Sequence, residues 1–348
     1  MNNYPLTEVT AFCPVCFEQK ALLLYQVDSR EAAQHFVLKE KDEAEFSALQ
    51  MQIEKLWKNT VCKVLRCSNC SFSYAYPYVA GDSQFYSLAY KRESYPEWKW
   101  EYEVSYRVLE RLLENNQQKN IKLLEIGAGN GAFVRRISTR LIPRANILCT
   151  EFSDYGAGEI RRYGIDCRAV DVKKIDRAKY ANYFGLVCLF QTLEHMDELD
   201  SLFTQLNLLT GSDADMFIAV PNDKNIELNE NNEALLDMPP NHIGRWNRKA
   251  FEIICARHGW QIMEHKIEGG NFLPALKKFS VYRYLRESQR SGTVCNRVET
   301  IKNRLLHRCL QIPIVGFKAV AAIPLLRKIG ASALGDSQWI WLRKVRTL

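Results

Sequence analysis

The stretch LLEIGAGNG, residues 123–131, decides the fold that we predict for this chain. An apolar run leads into glycines at positions 127, 129 and 131, and the next segment, Ala132–Arg140, has the composition of a helix. Glycine is needed where a backbone turns tightly and lies against a ligand without a Cβ in the way. The acid Glu151 ends the next predicted strand, twenty residues after Gly131, where a carboxylate can accept hydrogen bonds from ribose hydroxyls. The pattern therefore predicts a strand, a ligand-binding turn and a helix.

Strands and helices alternate along the rest of this region. The seven predicted strands are Ile121–Ile126, Asn146–Thr150, Ile165–Val170, Phe184–Phe190, Met216–Val220, Trp260–Ile267 and Ser337–Val345. The predicted helices between them are Ala132–Arg140, Asp154–Tyr163, Leu199–Leu209 and Arg248–His258. Such alternation is typical of a parallel sheet with right-handed crossovers. The expected fold class is α/β, with a doubly wound, mostly parallel seven-stranded sheet.

Two classes of ligand fit a glycine-rich turn of this kind. Dinucleotide sites space their glycines as Gly-x-Gly-x-x-Gly and place a pyrophosphate at the start of the helix. Here the third glycine comes one residue earlier, and Glu125 stands two residues before the first. A carboxylate beside the turn would repel a pyrophosphate and suits a cationic amino group instead. A tight strand–helix turn without a ligand is the alternative.

These residues resemble the class I methyltransferases that use S-adenosylmethionine, over roughly Ile121–Ile267 and the last strand. The resemblance implies a Rossmann-like methyltransferase fold with S-adenosyl-L-methionine as the cofactor. It also implies that the segment Glu125–Gly131 holds the methionine moiety, that Glu151 binds the ribose, and that Asp171 lies near the adenine amino group. A second acid, Asp176, competes for this last role. The implied cofactor-binding residues are Glu125, Gly127, Ala128, Gly129, Gly131, Glu151, Phe152, Asp171, Val172, Phe190 and Gln191.

Three further motifs resemble a subgroup of small-molecule and sugar methyltransferases. They are Leu193-Glu194-His195, Ala219-Val220-Pro221-Asn222, and Pro239-Pro240-Asn241-His242 with Trp246-Asn247. The resemblance implies a small acceptor, polar or anionic, such as a sugar or a sugar nucleotide. A hydroxyl acceptor benefits from a base that titrates near neutrality, so His195 and His242 are the candidate catalytic residues. Packing at the start of a helix, or support of the cofactor side, is the alternative role for His195.

Other functions are left open by the sequence. An RNA or protein methyltransferase that uses the basic C-terminal region is one alternative, with nucleic acid the less favoured partner, and a non-catalytic cofactor-binding protein is another. The intact glycine turn argues against the last. The segment after the fourth strand contains neither Asn/Asp-Pro-Pro-Tyr nor Pro-Cys, so methylation of amino groups on DNA bases or of cytosine C5 is not indicated.

Four of the eleven cysteines form two Cys-x-x-Cys pairs. They are Cys13, Cys16, Cys67 and Cys70. Two such pairs can supply four thiolates to a tetrahedral structural zinc ion, whereas four free thiols are the alternative. The gap between the pairs is longer than in a standard zinc ribbon, and Leu49, Ile53 and Leu56 predict an amphipathic helix within it. The glycine that often follows each pair is replaced by Phe17 and Ser71, and Cys62 is a further thiol nearby.

Composition divides the chain into five parts. They are a zinc-ribbon-like module with a helical insert (1–85), an aromatic and helical connection that is a candidate lid (86–119), the cofactor-binding core (120–270), a basic helical insertion (271–335) and the last core strand (336–348). With 348 residues, 47% hydrophobic and 25% charged, the chain is expected to be globular. The acidic segment Glu227–Asp237 is a candidate mobile cover, and a solvated loop is the simpler alternative.

Charge is concentrated at the C-terminal end. From Asn271 onward the balance is +12, whereas the preceding residues carry −5. This segment predicts either an anionic partner, including a peripheral membrane contact, or solvated helix faces. Its longest charge-free runs, Cys309–Phe317 and Ala319–Leu326, are too short to span a bilayer. The first twenty residues show no secretory signal, so a cytoplasmic location is expected.

Overall fold

Two β-sheets organise the part of the chain that the computed structural model describes, which is residues 7–89, 98–115, 120–231, 237–327, 330 and 334–345. One sheet is antiparallel with five strands, and the other is mostly parallel with seven. Some predicted features fall partly outside the described residues. These are positions 1–6 of the zinc-ribbon-like module, positions 90–97 and 116–119 of the aromatic and helical connection, positions 232–236 of the acidic segment, positions 328–329 and 331–333 of the insertion, and positions 346–348 after the last strand.

The N-terminal region forms four strands of the antiparallel sheet and three helices. In chain order they are β1 (Glu8–Thr10), β2 (Lys20–Asp28), α1 (Ser29–Phe36), α2 (Glu43–Trp57), β3 (Val61–Cys67), β4 (Ser73–Tyr76) and α3 (Ser83–Ala89). The helical insert between the two cysteine pairs is therefore present. Leu49 and Ile53 are fully buried, as expected for an amphipathic helix, and Phe46 and Trp57 are buried on the same helix, whereas Leu56 is only partly buried.

After α4 (Trp100–Asn115), strands and helices alternate. In chain order they are β5 (Leu123–Ile126), α5 (Ala132–Ile137), β6 (Ile147–Thr150), α6 (Asp154–Arg162), β7 (Asp166–Arg168), α7 (Arg177–Tyr180), β8 (Phe184–Phe190), α8 (Leu199–Leu209), β9 (Thr210–Pro221), α9 (Asp223–Asn231), β10 (Gly244–Arg245), α10 (Arg248–His258), β11 (Trp260–Ile267), α11 (Phe272–Ser288), α12 (Val294–Glu299), α13 (Arg304–Leu326) and β12 (Ser337–Lys344). The larger sheet has the order β11-β12-β9-β8-β5-β6-β7, and only β12 runs antiparallel to its neighbours. The predicted seven-stranded, mostly parallel sheet is confirmed.

Helices cover both faces of this sheet. Leu202 of α8 and Phe251 of α10 are buried against one face, whereas Leu109 of α4, Phe133 of α5 and Ile160 of α6 are buried against the other. Strands covered on both faces need continuous apolar runs, which explains why β8 is apolar and buried almost throughout. Each of these large side chains contributes about 1.5–3 kcal/mol by leaving water.

The strand β10 joins the two sheets. It follows the core strand β9 in the chain, yet Gly244 pairs with Tyr74 of β4 in the N-terminal sheet. A Cβ at Gly244 would lie 2.9 Å from Cζ of Phe72, so the close approach requires glycine. The next buried ring, Trp246, packs 4.9 Å from Phe72. The segment before β10, which carries His242, is thereby fixed to the N-terminal sheet.

The C-terminal helices differ from the sequence prediction in one respect. The two charge-free runs of the sequence are each too short to span a bilayer, but α13 continues through Pro313, Lys318 and Pro324 for 23 residues. The Lys318 side chain turns inward, where its Nζ lies 2.5 Å from a carboxylate oxygen of Glu287 on α11. Among the described residues, α13 is the one helix long and apolar enough to cross a membrane by length and composition.

Candidate functional site

The glycine turn after β5 is shaped by three left-handed residues. Gly127, Gly129 and Gly131 have φ values of +67°, +56° and +74°, which residues that carry a Cβ rarely adopt. The Gly127 N–H donates to the Thr150 carbonyl at the end of β6 at 2.9 Å. A Cβ on Gly127 would lie 2.5 Å from Oγ1 of Thr192, beyond the end of β8. The turn is therefore fitted between two neighbouring strands, at the edge where ligands bind in open α/β sheets.

Two acids accompany this turn. Glu125 on β5 is 1% exposed, and its Oε2 has no hydrogen-bond partner among the described residues. Burial, with the nearby charge of Glu151, raises the pKa of Glu125 to about 8. Glu151 accepts hydrogen bonds from the N–H groups of Gly129 and Ser153 at 2.7 and 2.9 Å. Glu125 is suited to an ammonium group, and the fixed carboxylate of Glu151 is suited to hydroxyl groups, with exposed Phe152 beside it.

The structure places the remaining predicted cofactor residues on the same edge. Asp171 caps the short 3₁₀ helix Val172–Lys174 by accepting from the Lys173 N–H at 2.8 Å. The competing acid Asp176 caps α7 instead. Phe190 is buried at the end of β8, and Gln191 follows it with a φ of +53°.

Gln191 and Phe190 also connect this edge to other elements. The Gln191 amide donates to Glu101 of α4 at 3.2 Å and to the Ser337 hydroxyl of β12 at 3.0 Å. The Phe190 ring packs 5.1 Å from Tyr102 of α4. All eleven predicted cofactor-side residues thus lie at or beside the carboxyl ends of four adjacent strands, β8, β5, β6 and β7.

A second group of side chains lies beyond β8, and we name Glu194, His195 and His242 the acceptor cluster. The two histidine rings are 4.7 Å apart, and the Nε2 of His195 lies 3.9 Å from a Glu194 oxygen. The His195 Nδ1 is 2.6 Å from the Asn241 carbonyl, to which it donates. The His242 Nδ1 is 2.8 Å from a carboxylate oxygen of Asp237. Both predicted catalytic histidines are therefore brought together.

Burial dominates the electrostatics of the acceptor cluster. It lowers the pKa of His195 to about 3 and raises the pKa of Glu194 to about 7. Burial also opposes the charged form of His242, but its contact with Asp237 outweighs this and raises the pKa of His242 above its usual value. His195 is thus a neutral imidazole, whereas His242 and Asp237 form a charge-stabilised pair.

A buried ionic network holds the loop that carries His242. Arg245 donates to the Asp237 carbonyl at 2.8 Å and to the Tyr25 hydroxyl at 2.6 Å, and it pairs with Glu230 at 2.7 Å. The Tyr25 hydroxyl in turn donates to Glu230 at 2.6 Å. Sequence reasoning missed Glu194, Asp237 and this network. The one available signal was the concentration of acids in the loop before His242.

The four predicted cysteines meet in one cluster. The sulfur of Cys13 lies 3.6 Å from that of Cys70, and the sulfur of Cys16 lies 3.4 Å from that of Cys67. All four sulfurs lie within 4.8 Å of one another. Zn–S bonds of about 2.3 Å place the sulfurs of a tetrahedral site about 3.8 Å apart, so the geometry fits zinc after small adjustments.

The backbone at the cysteine pairs explains the missing glycines. Phe17 and Ser71, which follow the two pairs, have φ values of +62° and +59°, so the turns keep the left-handed geometry without glycine. Cys62 lies outside the cluster, with its sulfur 3.6 Å from the backbone oxygens of Lys63 and Tyr76.

Comparison with known proteins agrees with this architecture. Residues 97–265, just under half of the chain, match the family model described as methyltransferase domain. A solved structure of a SAM-dependent methyltransferase from Archaeoglobus fulgidus is similar at 14% identity and a TM-score of 0.44, over 70% of this chain and 94% of that one. Geranyl diphosphate C-methyltransferase from Streptomyces coelicolor is similar at 10% identity and a TM-score of 0.39, over 70% and 80% of the two chains. No curated protein matches the chain.

The family match and the strand order together show a methyltransferase-like α/β fold in the core of the chain.

Proposed function

We propose that the chain is an S-adenosylmethionine-dependent methyltransferase that acts on a small polar acceptor. The observation that carries this proposal is the buried, unpartnered oxygen of Glu125 beside a glycine turn whose other acid, Glu151, is already fixed by backbone N–H groups. An ammonium group would satisfy Glu125, and ribose hydroxyls would add to the bonds of Glu151. The family match over residues 97–265 supports the same class of reaction.

The protein's contribution to such a reaction is chiefly positioning. The cofactor, when bound, supplies an activated methyl group on a sulfonium, so the chain has to orient the acceptor in line with it. The acceptor cluster begins two residues after Thr192, whose hydroxyl donates to the Ile126 carbonyl, directly before the glycine turn, at 3.3 Å. In our proposal, His195 and His242 face the acceptor, and a hydroxyl acceptor loses its proton to an imidazole there.

Calorimetric titration with S-adenosylhomocysteine tests the proposal. We expect micromolar binding by the wild type and at least about tenfold weaker binding by Glu151→Ala, because hydrogen bonds to a charged group contribute about 1.5–3 kcal/mol. Glu159→Ala removes an acid from α6, where it pairs with Arg162, and serves as the matched control. Folded wild-type protein that does not bind S-adenosylhomocysteine would contradict the proposal.

A sugar or sugar nucleotide is the acceptor we favour, on the resemblance of the Glu194-His195 and Pro239–His242 motifs. Activity assays with uncharged sugars, sugar nucleotides and RNA would separate this acceptor from the macromolecular alternative. Binding to RNA that weakens steeply with salt would favour the alternative.

We also propose that the four-cysteine cluster binds a structural zinc ion. The convergence of four sulfurs from the loop before β2 and the turn after β3 supports this assignment. With all four positions occupied by thiolates, the ion would stabilise the N-terminal sheet rather than take part in catalysis.

A third proposal concerns the outward side of α13, which in our view lies on an anionic membrane surface at the cytoplasmic side. Four apolar residues of this side are each at least two-thirds exposed: Leu305, Ile312, Phe317 and Val320. Only 17% of the most apolar 18-residue stretch of the helix is buried. Because Lys318 turns inward to Glu287, this side carries no charge between Arg308 and Arg327. Exposed apolar faces of this extent mark interaction sites.

Charge favours an anionic lipid surface as the partner of α13. Each acid of the described part of 271–345 is paired within the protein: Glu287 with Lys318, Glu299 with Lys41 and His307, and Asp336 with Lys278. Several cations around α13 are exposed. They are Arg297, Lys302, Arg304, Arg308 and Arg327. Each such cation near an anionic surface contributes about 1 kcal/mol.

Sedimentation with vesicles tests the membrane contact. We expect binding to vesicles that contain phosphatidylglycerol, weaker binding to pure phosphatidylcholine, and loss of binding by Phe317→Glu. Met51→Glu, at a similarly exposed apolar residue of α2, should bind like the wild type. Absence of vesicle binding, with a dimer that Phe317→Glu dissociates, would instead assign this side of α13 to a second copy of the chain.

A further inference from the structure

The acceptor cluster has the composition and the spacing of a metal site. Glu194, His195 and His242 each offer one ligand atom, and these atoms lie within 4.8 Å of one another. The two elements that supply them are the short 3₁₀ helix Leu193–His195 after β8 and the loop before β10. These elements are held together by a hydrogen bond of 2.9 Å from the Ile243 N–H to the Glu194 carbonyl.

The state of Glu194 points independently to a cation. The side chain is 1% exposed, and neither carboxylate oxygen has a hydrogen-bond partner among the described residues. A buried polar atom without a partner destabilises the fold, and it does so more strongly when it is charged. Nε2 of the neutral imidazole of His195 lies 3.9 Å from a Glu194 oxygen, which is too distant to be a hydrogen bond.

The Nδ1 atom of each histidine lies beside an oxygen atom of the protein. The His195 Nδ1 donates to the Asn241 carbonyl at 2.6 Å, which leaves Nε2 with a lone pair on the side of Glu194. The His242 Nδ1 lies against Asp237 at 2.8 Å. Histidines that bind metals are oriented in this way, by a carbonyl or carboxylate on the opposite ring nitrogen.

We propose that Glu194, His195 and His242 bind one divalent cation of the class that accepts mixed imidazole and carboxylate ligands, such as Mn²⁺. Three protein ligands leave coordination positions open, at which oxygen atoms of the acceptor would bind and be oriented. The inference rests on the proposed function for the presence of an acceptor, and it changes one step of it. With the ion in place, the two histidines act as ligands that orient the acceptor, and this replaces the transfer of the acceptor's proton to an imidazole.

Electron paramagnetic resonance of Mn²⁺ tests the site without any measurement of activity. Full-length protein with zinc already supplied to the cysteine cluster is titrated with Mn²⁺, whose free signal disappears on binding; this hard ion disfavours thiolate ligands. We expect one Mn²⁺ per chain. We expect Glu194→Gln to weaken Mn²⁺ binding more than about a hundredfold, because even residues that only hydrogen-bond to metal ligands contribute 10–100-fold to metal affinity. Glu125→Gln, at an equally buried acid with an unpartnered oxygen, should bind Mn²⁺ like the wild type.

The outcomes separate this inference from the proposed function. Wild-type protein that binds S-adenosylhomocysteine but no Mn²⁺ overturns the metal site and leaves the proposed function standing. Mn²⁺ binding that persists in Glu194→Gln also overturns it, because the ion then lies elsewhere. His195→Asn provides a second variant if Glu194→Gln does not fold, and we expect the same loss of Mn²⁺ with binding of S-adenosylhomocysteine retained.

Discussion

The cofactor side and the acceptor side of the candidate site are built in different ways. On the cofactor side, Glu125 and the glycines follow one another within seven residues, and Glu151 joins them from the adjacent strand β6. On the acceptor side, His195 and His242 come from segments separated by almost fifty residues, and Tyr86 of α3 packs 6.1 Å from the His195 ring. These segments meet because β10 pairs with β4 of the N-terminal sheet.

The geometry of the two sides therefore has different structural causes. Backbone conformation at a few glycines shapes the cofactor side, whereas packing between the two sheets shapes the acceptor side. We therefore expect damage to the N-terminal sheet to affect the acceptor cluster before it affects cofactor binding. Local changes at the glycine turn should have the opposite effect.

The largest effect is expected from Cys67→Ala. Structural zinc sites contribute about 10 kcal/mol or more in small domains, so loss of one thiolate should lower the free energy of unfolding by several kcal/mol. Thermal unfolding with and without a chelator measures this. Cys62→Ala removes a buried thiol from the same strand, β3, but outside the cluster, and should cost about 1 kcal/mol. Equal destabilisation by the two variants would argue against bound zinc.

The next effect concerns the cofactor side alone. Gly127→Ala introduces a Cβ that would lie 2.5 Å from Thr192, at a φ of +67°. We expect S-adenosylhomocysteine to bind at least about tenfold more weakly, with about 1–2 kcal/mol lost in stability. Gly259→Ala has a similar φ of +71° but nothing within 4 Å of the new Cβ, so it should lose stability by backbone strain without losing affinity. Calorimetry on both variants separates the two causes, and equal loss of affinity would contradict the role of the turn.

The same difference decides what could be predicted from the sequence. The glycine turn, Glu151 and the order of strands and helices are local patterns, so their position at one edge of the sheet could be derived. His195 and His242 could be singled out as residue types near that edge. The importance of Glu194 could not be predicted from the sequence, because it depends on complete burial of a carboxylate without a hydrogen-bond partner. That is a property of the packed structure.

Two further features depend on long-range contacts in the same way. The sequence carries no pattern that pairs β10 with β4, since two residues are too few to show the alternation of a strand. Likewise, Lys318 interrupts an apolar run in the sequence, and only its inward contact with Glu287 shows that the outward side of α13 is continuous.

A pH dependence of cofactor affinity is the third expected effect. The pKa of Glu125 is raised to about 8, so the free folded protein holds a proton there that the unfolded chain releases near its ordinary value of 4.5. The stability that this group contributes is full below about pH 4.5 and is lost as the pH rises through about 8. A ligand ammonium requires the ionised carboxylate, so affinity for S-adenosylhomocysteine should rise from about pH 6 to pH 8, by at most about tenfold per unit.

Glu125→Gln is the control for that pH dependence. It keeps the size of the side chain but removes its titration, so affinity should be nearly independent of pH and weaker than the wild type at pH 8. Calorimetry in buffers of different ionisation enthalpy counts the protons released. A variant that retains the wild-type slope would assign the titration to another group, such as the acceptor cluster.

The smallest effect is expected at Asp171, at the far end of the cofactor side. Its carboxylate caps its own 3₁₀ helix and lies 3.7 Å from the Lys173 ammonium. Asp171→Asn keeps an oxygen that can accept from the backbone or from an adenine amino group, so affinity for S-adenosylhomocysteine should fall less than about threefold. Asp171→Ala removes the side-chain oxygens that accept these hydrogen bonds. Affinity for S-adenosylhomocysteine should then fall about tenfold, which corresponds to one lost hydrogen bond. The free energy of unfolding should fall by about 1 kcal/mol because the cap is lost. If the asparagine and alanine variants lost affinity equally, the negative charge itself would be the contribution of Asp171, and this end of the cofactor side would depend on electrostatics rather than on backbone shape.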